Sequence, residues 1–78
     1  MVNLSNVLST MVKSIVDEPD AVVVTETEVN GETVLDLTVA PNDMGKVIGK
    51  HGRIARALRM MMKAAATSVD RKVVVNIK

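Results

Sequence analysis

The sequence predicts an α+β domain in which three helices pack on one face of a three-stranded mixed sheet. The predicted order is helix, strand, strand, helix, helix, strand. Three observations carry this. The first fifteen residues repeat apolar side chains at helical spacing. Two Val/Thr-rich runs flank an Asn-Gly pair. A second helical region, broken by glycines, leads into a closing run of alternating valines. A chain of 78 residues predicts one domain, residues 1–78, since domains run to roughly 100–200 residues.

In the opening helix, Leu4, Val7, Leu8, Met11, Val12 and Ile15 share one face. Asn3 or Ser5 is placed to cap it by accepting a backbone N–H. Pro19 marks its end, because the residue before a proline is steered away from helical geometry. The polar face, Ser5, Asn6, Ser9 and Lys13, carries one cation, too little for membrane electrostatics. This face predicts core packing.

Residues 21–29 and 33–40 form the hairpin. Asn30-Gly31 suits a two-residue type I′ turn, in which both residues take positive φ. Pairing Val29 with Glu32 puts Val22 and Val24 on the same face as Leu35, Leu37 and Val39. Thr25, Thr27, Asp36 and Thr38 fall on the wet face. Glu26, Glu28, Glu32 and Asp36 read as solubilising residues rather than ligands.

Pro41 stops the second strand, and Asn42 or Asp43 looks like an N-cap for a short helix over 44–48. Gly49-Lys50-His51-Gly52 interrupts it, and residues 53–67 resume as a longer helix. Ile54, Leu58, Met61 and Ala65 are expected on its core side, with Arg53, Arg56, Arg59 and Lys63 opposite. Asp70 begins a turn. Residues 72–78 close as a strand with Val73, Val75 and Ile77 on one face. A crossover through two helices makes this strand parallel to the second if the two pair.

Composition narrows the function. There is no cysteine, which excludes disulfides and thiolate-bound metals and favours a reducing compartment. No Phe, Tyr or Trp is present, which removes modes that stack bases on aromatic rings. No apolar run approaches the ~20 residues of a membrane span, and nothing resembles a signal peptide. The expected location is the cytoplasm. A domain this small buries only about 60% of its unfolded surface, so self-association would stabilise it. The net charge of +1 hides a separation. Residues 17–43 hold eight of the nine acids and no base, while residues 44–69 hold Lys46, Lys50, Arg53, Arg56, Arg59 and Lys63 and no acid. The basic pole would concentrate an anionic partner.

Two glycines three residues apart also make an ordinary helix–helix turn. Here Val47-Ile48 precedes them and an acid-free basic helix follows. The unpaired N–H groups and positive dipole end of that helix suit a phosphate. Lys46, Lys50, Arg53 and Arg56 surround the loop, and His51 adds a hydrogen-bonding group. A Walker-type phosphate loop is rejected. Gly45 and Gly49 stand one residue too close, and His51 occupies the place of the magnesium-binding Ser or Thr. Catalysis is not expected: Ser14 and Ser68 are isolated, and the single histidine has no partner placed by sequence. No cofactor or metal is implied.

The run Val47-Ile48-Gly49-Lys50-His51-Gly52-Arg53 resembles the I-G-x-x-G signature of K-homology (KH) domains, and the element order is similar to their type II form. The resemblance covers nearly the whole chain. It implies that the loop clamps the backbone of about four unpaired nucleotides, with bases in an apolar groove beside it. The residues it implicates are Lys46, Val47, Ile48, Gly49, Lys50, His51, Gly52, Arg53, Arg56 and Arg59. The usual isoleucine three residues past the second glycine is Ala55 here, with Ile54 one position earlier, which implies a shallower groove wall. The resemblance further implies a bacterial protein that acts as an RNA chaperone or post-transcriptional regulator, with links to cell shape and division. It implies pairing as a homodimer or with a larger KH-containing protein. Met60 and Met62 are the expected contacts, because methionine is adaptable at surfaces. The competing reading makes this pairing the main function and RNA binding secondary.

Overall fold

A computed structural model describes residues 3–78. Helix α1 spans Leu4–Lys13, strands β1 and β2 span Val23–Val29 and Glu32–Thr38, α2 spans Met44–Ile48, α3 spans Arg53–Ser68 and β3 spans Val73–Ile77. Asn3 caps α1, its side-chain oxygen accepting the Asn6 N–H at 3.2 Å. The helix ends at Lys13, so Ile15 lies beyond it and is 40% exposed, against the expectation that it extends the core face. The cause is local. Ser14 and Ile15 turn their N–H groups to carbonyls three residues back, and the Ser14 hydroxyl donates to the Met11 carbonyl at 2.6 Å. A single 3₁₀ turn over Pro19–Ala21 then delays β1 to Val23, two residues later than the sequence suggests.

The hairpin has the expected register, with Val29 opposite Glu32 and Val24 opposite Leu37. Asn30 and Gly31 have φ of 52° and 82°, as a type I′ turn requires. Strand β3 pairs with β2 in parallel, Leu35 beside Val75, giving the order β1-β2-β3. Leu4, Leu8 and Val12 of α1, Leu35 and Leu37 of β2, Val47 of α2, Leu58 and Met62 of α3 and Val75 of β3 form one core on the helical side of the sheet.

Asp43 is fully buried. It sits at the N-cap position of α2 without capping it. Its carboxylate instead accepts the backbone N–H groups of Asp17 at 3.1 Å and Glu18 at 3.0 Å, tying the α1–β1 connection to the start of α2. Removing it would strand two donors, each at about 1–3 kcal/mol.

At the other end of α3, the Arg71 N–H bonds the Ala66 carbonyl at 2.8 Å and the Asp70 N–H bonds that of Thr67 at 3.1 Å. This is a Schellman termination, whose left-handed position favours glycine. Asp70 holds that position with φ 57°, and its charge opposes the negative end of the helix dipole. Asp70→Gly is therefore expected to stabilise the domain by about 1 kcal/mol. Thermal unfolding should show the midpoint rising by roughly 4–8 °C. An unchanged or lower midpoint would show that the turn carries no strain.

Candidate nucleic-acid interface

The loop between α2 and α3 is built by three unusual backbone states within four residues. Gly49 has φ 74° and ψ 174°, a region essentially confined to glycine. His51 is left-handed at φ 59°, and so is Gly52 at φ 72°. The two glycines are needed for different reasons. A Cβ on Gly49 would lie 2.3 Å from Ile54 Cγ1 and 3.0 Å from the Ile54 backbone nitrogen, whereas one on Gly52 would meet nothing within 4 Å. Ile54 thus seats against the Gly49 backbone and folds the loop back onto α3.

The turn leaves Lys50 and His51 exposed at its tip. Arg53 and Arg56 follow on the exposed surface of α3. Among the described residues no side chain caps α3 at Gly52, and the Arg53 N–H is taken by the Lys50 carbonyl within the loop. Among the described residues, Lys50, Arg53, Arg56 and Arg59 have no carboxylate within 4.0 Å. The cations here therefore remain available to an anion.

Three expected site residues are placed differently. Lys46 donates to the Asp17 carboxylate and lies 3.9 Å from that of Asp43. The hydrogen bond to Asp17 and then the charges of Asp17 and Asp43 hold its pKa above the ordinary lysine value, while desolvation opposes them. Its positive charge is matched within the protein. Val47 is fully buried and supports the loop from beneath, leaving Ile48, 39% exposed, as the apolar surface beside it. Arg59 turns to the sheet, its Nε donating to the Val75 carbonyl on β3 at 3.2 Å.

The orientation of α3 explains the last of these. Its buried stripe is Ala55, Leu58, Met62 and Ala66, turned by roughly 70° from the expected Ile54–Leu58–Met61–Ala65 stripe. Met61, expected in the core, is 57% exposed; Met62, expected at an interface, is fully buried. Side-chain size misleads here. Ile54 and Met61 pull the apolar direction of the sequence to one side, while small Ala55 and Ala66 let the helix lie close on the other. The aliphatic stem of Arg59 then lies along β3 while its charge stays accessible. The usual isoleucine position, Ala55, is only 5% exposed.

Arg71 escaped the sequence reading. Its guanidinium donates to Glu28 on β1 and to the buried Thr33 hydroxyl on β2, both at 2.7 Å. Only the folded sheet brings these residues together, so spacing carried no signal of the contact.

The element order and the glycine-bracketed loop between two helices define a KH domain of the type II form. The family described as KhpA/KhpB, KH domain matches residues 5–77. The chain belongs to that family. Its relatives include the RNA-binding protein KhpA of Clostridium acetobutylicum, 51% identical over 95% of this chain and 99% of the relative. The protein of the same name from Caldanaerobacter subterraneus subsp. tengcongensis is 47% identical over the same shares. That from Aquifex aeolicus is 43% identical over 95% of this chain and 94% of its own. No solved structure matches the chain.

Proposed function

We propose that this protein binds single-stranded RNA in the cytoplasm, the Gly49–Gly52 loop gripping the sugar-phosphate backbone and the whole chain acting as one KH domain. The observation that carries the reading is the loop. A strained, glycine-dependent turn presents Lys50 and His51 beside the start of α3, with Arg53 and Arg56, which have no carboxylate within 4.0 Å among the described residues, behind it. The relatives named RNA-binding proteins support it. Without aromatic rings, affinity comes from phosphate contacts and aliphatic packing on Ile48, neither of which distinguishes bases strongly. Such weak, broad binding suits an RNA chaperone or post-transcriptional regulator and requires no catalysis. Titrating single-stranded RNA, duplex RNA and single-stranded DNA at two salt concentrations tests it. Preference for the single strand, falling with salt, is the expected result; equal weak binding to all three would count against it.

The second reading, assembly through α3, rests on exposed methionine. Met60 and Met61 are 66% and 57% exposed, and Ile54 on the same flank is 39% exposed. Ala57 and Ala64 continue an acid-free surface. This face suits a homodimer or a heteromer with a larger KhpB/Jag-like protein. Met61 takes the contact role expected of Met62. Met61→Asp should give a folded monomer whose dimer dissociation constant rises at least ~100-fold, because truncated or unpaired groups at interfaces cost several kcal/mol. Sedimentation showing an unchanged dimer, or a monomeric wild type at high concentration, would remove this face from consideration.

A further inference from the structure

We propose that Asp17 withholds Lys46 from RNA and so sets the affinity of the loop for the phosphate backbone. The proposal rests on the RNA reading above and deepens it, giving a tuning role to a residue outside the loop. Lys46 stands on α2 three residues before Gly49, which is ~4.5 Å along the helix axis at 1.5 Å per residue. Its side chain is 44% exposed. A backbone gripped at Lys50 and His51 therefore runs close to it. Yet its ammonium donates to the Asp17 carboxylate and lies 3.9 Å from that of Asp43. One phosphodiester charge has to compete with two carboxylates for this lysine.

The two acids are not equivalent. The Asp43 carboxylate is buried, and its oxygens already accept backbone N–H groups from Asp17 at 3.1 Å and Glu18 at 3.0 Å. At 3.9 Å from Lys46 it lies beyond hydrogen-bond distance. Asp17 is 78% exposed, and among the described residues its carboxylate bonds only Lys46. Asp43 fixes the Asp17 backbone, so that carboxylate starts from a set point beside Lys46. Glu18 and Asp20 have no cation within 4.0 Å among the described residues and do not take its place. Two carboxylates against one ammonium leave the α2 side of the loop net negative, while Lys50, Arg53 and Arg56 make the α3 side positive. Neutralising Asp17 balances that charge and leaves the three donors of Lys46 without a close acceptor. A backbone phosphate then supplies one.

The test is a double-mutant cycle on an unstructured single-stranded RNA of about ten nucleotides. Wild type, Asp17→Asn, Lys46→Ala and the double variant are titrated at several salt concentrations. Both side chains are exposed, and circular dichroism with thermal unfolding confirms that each variant is folded. Asp17→Asn should bind about three- to fivefold more tightly at low salt. It should steepen the slope of log K against log salt by roughly 0.7, the mark of one further phosphate contact on a single strand. Asp17→Ala should reproduce both effects, since the lost charge and not the new amide is their cause. Lys46→Ala alone should leave the slope unchanged, because Lys46 makes no phosphate contact in wild type. In the Lys46→Ala background Asp17→Asn should no longer steepen it. A steepening that persists without Lys46 would make Asp17 a general repulsive charge and overturn the proposal. So would an unchanged slope in Asp17→Asn with loop binding intact, or a shallower slope in Lys46→Ala. No binding by wild type and every variant alike overturns the RNA reading itself.

Discussion

A variant with Lys50 and His51 both replaced by Asp is expected to fold normally and to lose RNA binding by at least ~100-fold. Both side chains stand exposed at the tip of the loop and take no part in the core. Lys50 has no acidic partner among the described residues, so its replacement strands nothing inside the protein. A charge-assisted hydrogen bond contributes about 1.5–3 kcal/mol, and each 1.4 kcal/mol is tenfold in affinity. Reversing the charge adds repulsion from phosphate. By contrast, Arg56→Ala should weaken every sequence alike and lower the slope of log K against log salt by roughly 0.7. The measurement is RNA titration with the fold checked by circular dichroism. Full-strength binding by a folded double-Asp variant would reduce the loop to a turn and put the interaction module first.

Gly49→Ala should destabilise the domain by about 4 kcal/mol, where Gly52→Ala should cost only about 1–2 kcal/mol. The positions share a positive φ and differ in what surrounds them. At Gly49 the new methyl collides with Ile54 Cγ1 at 2.3 Å and approaches the Ile54 backbone nitrogen at 3.0 Å. The side chain can turn aside in response, but the backbone of the first turn of α3 cannot move without lifting the helix. At Gly52 the methyl enters open space, and only the left-handed angle is strained. The larger loss corresponds to a fall in melting temperature of roughly 15–30 °C for a domain of this size. Ile54→Ala in the Gly49→Ala background should recover part of it, relieving the side-chain collision but not the backbone angle. Equal melting points for the two single alanine variants would show that the Ile54 seat does not shape the loop.

These effects meet in one division of labour. Lys46, nearest the acidic half of the chain, is matched by Asp17 and Asp43 and helps tie α2 to the α1–β1 connection. Among the described residues, Lys50, Arg53, Arg56, Arg59 and Lys63 have no carboxylate within 4.0 Å. The buried Asp43 carboxylate thus belongs to the scaffold that places the loop, and the loop and α3 carry the exposed positive charge. A charge count along the chain shows the segregation but not which cation is matched at the boundary.

The element order, the hairpin register and the loop were legible in the sequence because each rests on short-range rules. Asn30-Gly31 sets the turn, and with it the pairing of Val29 with Glu32. Gly49 and Gly52 break the helix because their positive backbone angles favour glycine over other residues. The segregation of acids from bases is likewise a property of the chain alone. Tertiary packing decided the rest. The rotation of α3, which buries Met62 and exposes Met61, depends on how closely Ala55 and Ala66 allow the helix to approach its neighbours. An apolar periodicity weighs side chains one by one and cannot register that fit. Asp43 reads locally as a cap, yet its partners lie 25 and 26 residues away. Arg71 finds Glu28 and Thr33 only once three strands are side by side. Short-range backbone preferences are carried by neighbouring residues and can be read from them. A side chain's long-range partner is fixed by the packing of elements already formed, and only the folded structure shows it.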